Sequence, residues 1–264
     1  MRLADLAARL DNRLRIDLSD DWDNPGLLVG DRRRRVSRAL LALDVTPAVL
    51  REAGRRRADL LVVHHPLIFQ PLKRVVTDDR AGRLVGEALR RGVAVYSAHT
   101  GADVMPGGIN DALAAALGIR DGLPLAPRPG EPRAGHGRWG RLARPAAAGA
   151  LIRRLKRRLH SASVRAIGDP ERTVLRAGVC SGSGGEFLED ALELGLDLLV
   201  TGDLKHDRFV EVADTRLVLA DLGHAETDWF GFERAVTRVW SEDAVLSSVP
   251  LVAAREPWVP IRRV

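Results

Sequence analysis

LALDVTPAVLREAGRRRADLLVVHHP, Leu41 to Pro66, is the stretch on which the fold turns. Its first apolar run belongs to a buried-strand pattern, VSRALLALDVT, that ends at Asp44. Thr46-Pro47 is an N-cap and first-turn signature, and the spacing predicts a helix from there to about Arg57. Leu60 to Val63 is a second apolar strand, and it runs directly into His64-His65-Pro66. Strand, helix and strand within 26 residues is the rhythm of a parallel β–α unit.

The same rhythm continues outward. A helix over about Arg80 to Arg91 stops at Gly92, and a third strand, Val93 to Ala98, ends in HTGADVMPGG. A helix over Ile109 to Leu117 follows. Upstream, Leu3 to Asp11 has helical spacing, and Asp21 to Asp31 reads as a turn and a short strand. The Pro/Gly-rich stretch Asp121 to Gly137 reads as a linker or a rim between lobes. Pro145 to His160 reads as a basic amphipathic helix with Leu151, Ile152, Leu155 and Leu159 on its apolar face.

The second half echoes the first. RAGVCSGSGGEFLEDALELGLDLLVTGD (Arg176 to Asp203) parallels Leu41 to Pro66, and RLVLADLGHAETD (Arg216 to Asp228) parallels VAVYSAHTGAD (Val93 to Asp103). Both later segments end in His-x-x-x-Asp: His99 with Asp103, and His224 with Asp228. A duplicated unit and a chance likeness of two β–α units both produce such an echo. The expected fold class is α/β, with two pseudo-symmetric subdomains and mixed sheets. The expected lobes are 1–125 with 222–264, and 126–221.

Composition narrows the function classes. The 264 residues are 45% hydrophobic and 29% charged, as in an ordinary globular protein. No apolar run approaches the roughly 18 residues that span a bilayer, and MRLADLAARL lacks a signal-peptide core. A single cysteine, Cys180, excludes an intramolecular disulfide framework and fits a cytoplasmic setting. The net charge of +6 rests on arginine, with only Lys73, Lys156 and Lys205 as lysines. Arginines alternate with acids along most of the chain, which is the pattern of a solvated surface.

The chemistry gathers at strand ends, where the ligand sites of α/β sheets form. One end delivers His64 and His65, a second His99 and Asp103, and a third His224, Glu226 and Asp228. His206 follows a fourth strand, whereas His136 and His160 lie outside the pattern and read as structural or solvated. Imidazole and carboxylate without thiolate suit zinc, iron, manganese or nickel. Four histidines and several acids exceed one tetrahedral ion; they fit two bridged ions about 3.5–4 Å apart. The loop SGSGGE (Ser181 to Glu186) is either an anion cradle or a tight turn; it is neither a P-loop nor a nucleophile elbow.

DWDNPGLLVG, LALDVT, LLVVHHPLIF, YSAHTGADVMPGGINDALAAALGI, GSGG, LLVTGD and LGHAETD, in this order, resemble the YbgI-like family. That family is also named after the NGG-interacting factor, and its members are called GTP cyclohydrolase I type 2 homologues. The resemblance covers about Met1 to Trp240. It implies two intertwined α/β subdomains, a dinuclear metal centre and a toroidal homohexamer. By motif, the implied metal ligands are His64, His65, Asp103 and His224, with Asp228 where the family has a glutamate. Glu226, two residues earlier, is the competing fifth ligand. His99 is implied near the metals as a general base or water-orienting group. The chain has no room for the middle domain that many relatives carry.

Three readings follow. The first is a metal-dependent hydrolase of an unidentified small molecule, with phosphoester, amide and cyclohydrolase substrates open. The second is a non-catalytic metal-binding or regulatory protein, which the shorter Asp228 favours. The third is a nucleic-acid-binding ring, resting on the basic pI of about 10.5, Arg32 to Arg35 and the basic helix.

Overall fold

A computed structural model describes residues 1–259. In chain order the elements begin with α1 (Leu3–Arg13), β1 (Gly26–Val29), β2 (Ala39–Ala42), α2 (Pro47–Arg56) and β3 (Leu60–Val63). Next come α3 (Arg80–Arg91), β4 (Ala94–Ser97), α4 (His99–Val104), α5 (Ile109–Leu117), β5 (Ala126–Arg128) and β6 (Glu131–His136). Then follow β7 (Arg138–Ala147), α6 (Ala148–Leu159), β8 (Arg165–Ile167), β9 (Thr173–Ser183) and α7 (Leu188–Glu193). The series closes with β10 (Leu198–Gly202), α8 (His206–Glu211), β11 (Val218–Asp221), α9 (His224–Glu242) and β12 (Leu251–Ala253). Among the described residues no helix is long and apolar enough to cross a membrane.

The described residues form two compact α/β units, one of Met1–Ala102 with 235–259, the other of Asp103–Arg234. The changes of unit thus fall at 102/103 and 234/235, rather than at 125/126 and 221/222. Of the lobe expected to reach 264, residues 260–264 lie outside the described residues.

The first unit holds a mixed sheet in the order β1-β4-β3-β2-β12, parallel except for β1. Leu60 to Val63 is buried on both faces, which is why it reads as an unbroken apolar run. Leu40, Ala42, Leu61 and Val63 pack on Val49, Leu50 and Ala53 of α2 and on Leu84, Val85 and Ala88 of α3. The Thr46 hydroxyl caps α2 by accepting from the Val49 amide at 3.0 Å, as the Thr-Pro pair predicts.

The second unit holds a mixed sheet in the order β7-β9-β10-β11-β8 and a β5-β6 hairpin. Alternate residues of β10 face opposite cores. Leu198 and Val200 meet Leu151 and Leu155 of α6, while Leu199 meets Leu188 and Ala191 of α7. The stretch expected to be a linker forms this hairpin, with Ala126 opposite His136, so its Pro129-Gly130 pair serves a strand turn. The helix expected from Pro145 starts at Ala148, because β7 pairs with β9 as far as Ala147. β7 is an edge strand, a place that tolerates a proline.

The two units repeat one topology: β2-α2-β3-α3-β4 in the first and β9-α7-β10-α8-β11 in the second. In each, the third strand carries an antiparallel edge strand from upstream, β1 or β8. The echo extends to single hydrogen bonds. The Asp59 carboxylate accepts from the amides of Ser37 and Arg38, and that of Asp197 accepts from Leu175 and Arg176. Their own amides donate to Arg38 and Arg176 respectively, both at 2.9 Å. Arg38 and Arg176 then each cap the chain before the next strand, donating to the Arg56 and Leu194 carbonyls. The likeness of the two units thus runs from topology down to matched side-chain hydrogen bonds. Asp59→Ala and Asp197→Ala should therefore cost similar stability, about 1–2 kcal/mol each in urea unfolding. A clear cost at one position with none at the other would break the equivalence.

Candidate metal centre

In the first unit, β3 ends by presenting His64, which is buried, and His65, which is partly exposed. Their ring centroids are 4.9 Å apart, and each brings a ligand nitrogen within 4.8 Å of the other's. His99 opens α4 just past β4, and its ring lies 5.3 Å from His64 and 6.0 Å from His65. The two strand ends are locked together: the His64 carbonyl accepts from the His99 amide at 3.1 Å and from the Ser97 hydroxyl at 2.7 Å. His99 adopts φ 30°, a backbone region that costs energy for a side chain of this kind.

Two of these imidazoles are held by carboxylates. Nδ1 of His65 is 2.8 Å from Oδ1 of Asp44, the residue that ends the first apolar run. Nδ1 of His99 is 2.6 Å from Oδ1 of Asp23, whose other oxygen accepts from the Thr100 hydroxyl and amide. Burial opposes the charge on Asp23. Hydrogen bonds from His99, Thr100 and the Asn24 amide outweigh it and hold the carboxyl below its ordinary pKa. An ionised Asp23 places the His99 proton on Nδ1 and leaves Nε2 as the basic nitrogen.

In the second unit, His224 is the first residue of α9 and Asp228 lies one turn further on. Nε2 of His224 is 3.0 Å from Oδ2 of Asp228, and Nδ1 is 2.8 Å from Oδ2 of Asp203. Asp228 is only 2% exposed. Glu226, the competing acid, lies back against Gly223. Asp103 accepts from the Ser181 hydroxyl at 3.0 Å. Asn110 ties both partners down, donating to the Asp103 carbonyl and accepting from the Ser181 amide. The buried Arg138 clamps the next turn through the carbonyls of Val104 and Met105 and pairs with Asp111 at 2.9 Å.

SGSGGE is the end of β9 and a short turn. Gly182 has φ +61°, and a Cβ there would sit 3.0 Å from Oδ1 of Asp228 and 3.4 Å from Cε1 of His224. Its glycine gives the acid and the imidazole room. Cys180 is buried; burial and the charges of Asp103, Asp228 and Glu186 push its thiol far above the ordinary pKa. The candidate ligands themselves bring imidazole and carboxylate, a set suited to borderline divalent ions.

The remaining sequence candidates have other roles. His206 is exposed at the start of α8. His136 stacks on Phe187, and His160 ends α6 in a left-handed conformation. Two arginines of the basic helix, Arg154 and Arg158, donate to the Leu117 and Ala116 carbonyls at the end of α5. The sequence reading missed the orienting acids Asp23, Asp44 and Asp203, and it missed Asn110 and Arg138. The three acids stand inside DWDNPG, LALDVT and LLVTGD, each at a turn or strand end, which is the signal that marks them.

Residues 1–252 match the family described as Duf34/NIF3 (NGG1p interacting factor 3). The "GTP cyclohydrolase 1 type 2 homolog" of Clostridium perfringens is 33% identical over 229 residues, 87% of each chain. A hypothetical protein of Staphylococcus aureus shares the fold at TM-score 0.92 and 23% identity, over 100% of this chain and 99% of that one. The protein ybgI, of unknown function, superposes at TM-score 0.82 and 25% identity, over 98% of this chain and 100% of that one.

Gly182→Ala should lower stability by about 1–2 kcal/mol, because it combines an unfavourable backbone angle with a Cβ pressed on Asp228. Urea unfolding measures it, and an unchanged midpoint would contradict the assigned packing.

Proposed function

The chain belongs to the Duf34/NIF3 family, and from that membership we propose that it is a metal-dependent hydrolase. The observation that carries the reading is the pairing of His65 and His224, each through Nδ1, with a carboxylate. Metal-ligating histidines are oriented this way, with the second nitrogen turned to the ion. His64 and His65 of the first unit, and Asp103, His224 and Asp228 of the second, are donors of the kind that hold such ions. In the full reading His64, His65, Asp103, His224 and Asp228 hold two divalent ions, drawn from zinc, iron, manganese or nickel. Asp228 replaces the glutamate of the family pattern and is preferred to Glu226, because it is buried beside His224.

When bound, a divalent pair supplies Lewis acidity to a water and to a phosphoryl, amide or ring carbon. The protein's own groups do the rest. Asp23 fixes the His99 tautomer, so that Nε2 can take a proton from the attacking water. Ser181 and Asn110 set the angle of Asp103, and Asp203 sets that of His224. The Clostridium relative carries the name of a GTP cyclohydrolase homolog, so ring-carbon hydrolysis stands here beside phosphoester and amide hydrolysis. A toroidal homohexamer is the assembly that goes with this reading.

Elemental analysis of protein purified without chelator should find two transition-metal ions per chain. His64→Ala and Asp103→Ala should lower that content and abolish turnover of the best substrate in a panel of phosphoesters, nucleotides and amides. His99→Ala should keep both ions and lose about 10²- to 10⁴-fold in kcat. Absence of stoichiometric metal from the wild type would overturn the reading. Two ions with a blank panel would favour a metal-binding protein without catalysis, the reading that the shortened Asp228 keeps open.

A further inference from the structure

Two large aromatic side chains stand in the open beside His99. Trp22 is 59% exposed and Phe69 44% exposed. Scattered exposed apolar residues are ordinary on a protein surface. These two are different in being adjacent, close to a proposed general base, and held in place. The Trp22 and Phe69 ring centroids are 5.8 Å apart with planes inclined at 57°. Each ring meets the His99 imidazole steeply, Trp22 at 5.9 Å and 81°, Phe69 at 6.1 Å and 90°. The three rings make an open angle with His99 at its base, and none of these contacts is a parallel stack.

The loops that carry the rings are pinned. Asp23, the residue after Trp22, is bound by His99 and Thr100. Asn24 donates through Nδ2 to the Ile68 carbonyl at 2.6 Å, which ties the Trp22 loop to the residue before Phe69. The same short segment, Trp22-Asp23-Asn24, therefore supplies an aromatic face, fixes the His99 tautomer and positions the second ring. A preorganised pair of exposed aromatic side chains pays little ordering cost when a flat ligand covers it.

We propose that Trp22 and Phe69 form a stacking subsite for a planar heteroaromatic ring, which they present to His99. The inference builds on the hydrolase reading by naming a substrate class, and Asn24 enters it as a positioning residue. Stacking of a base on an aromatic side chain strengthens binding by about tenfold or more, as read by alanine substitution.

Equilibrium dialysis of the metal-loaded full chain against GMP, AMP and ribose 5-phosphate tests it, with metal content measured on every sample. GMP and AMP should bind at least tenfold more tightly than ribose 5-phosphate. Trp22→Ala and Phe69→Ala should erase that preference while leaving ribose 5-phosphate binding and metal content as they were. Trp22→Phe should keep most of it, which separates stacking from a loss of folding. Equal binding of all three probes, no measurable base-containing complex, or a preference that survives Trp22→Ala would overturn the subsite. A ring preference in a wild type without stoichiometric metal would instead sink the hydrolase reading and leave the subsite standing.

Discussion

The constraint on which the site depends is the hydrogen bond between a histidine Nδ1 and an aspartate carboxylate. Among the described residues it joins Asp44 to His65, Asp23 to His99, and Asp203 to His224. An imidazole at a strand end can otherwise rotate about its side-chain bonds and exchange tautomers. A carboxylate on Nδ1 removes both freedoms and commits Nε2 to one direction and one role. Each acid comes from a different backbone segment than the histidine it holds, so the bond exists only when the sheets and their flanking turns are formed. Folding and the chemistry of the site are in this way the same event.

The duplicated topology accounts for where these pairs fall. Asp59 and Asp197 perform the same backbone service at the start of the second strand of each unit. At the far ends the correspondence loosens by one residue. Ser97 and Asp221 occupy matching register positions, yet α4 opens two residues later at His99 and α9 three residues later at His224. Gly223 is the extra residue. Strand, turn and helix are common to both, while the side chains at the strand ends differ, with His64, His65 and His99 in the first unit and His224 with Asp228 in the second.

Much of this was legible in the sequence because it rests on local signals. The apolar run Leu60 to Val63, the Thr46-Pro47 helix start and the Gly92 stop each match their elements closely. The histidines stood out because they directly follow apolar runs. Asp23, Asp44 and Asp203 did not, since an aspartate at a turn has an ordinary explanation and only the fold shows which imidazole it faces. Arg138 was hidden for the opposite reason: an arginine in an arginine-rich chain carries no signal, although here it is fully buried among carbonyls. The β5-β6 hairpin reads in the sequence as a linker or a rim because proline and glycine punctuate all of these. The open face of Trp22 follows from its neighbours in space, which sequence spacing does not report.

X-ray absorption at the metal edge of zinc-reconstituted protein tests whether the paired imidazoles and acids of this chain hold two divalent ions. Two bridged ions on these donors should give nitrogen and oxygen scatterers at about 2.0–2.2 Å, no sulfur shell, and a second metal at about 3.5–4 Å. A spectrum with no imidazole scattering, or with a lone ion in an all-oxygen shell, would contradict it.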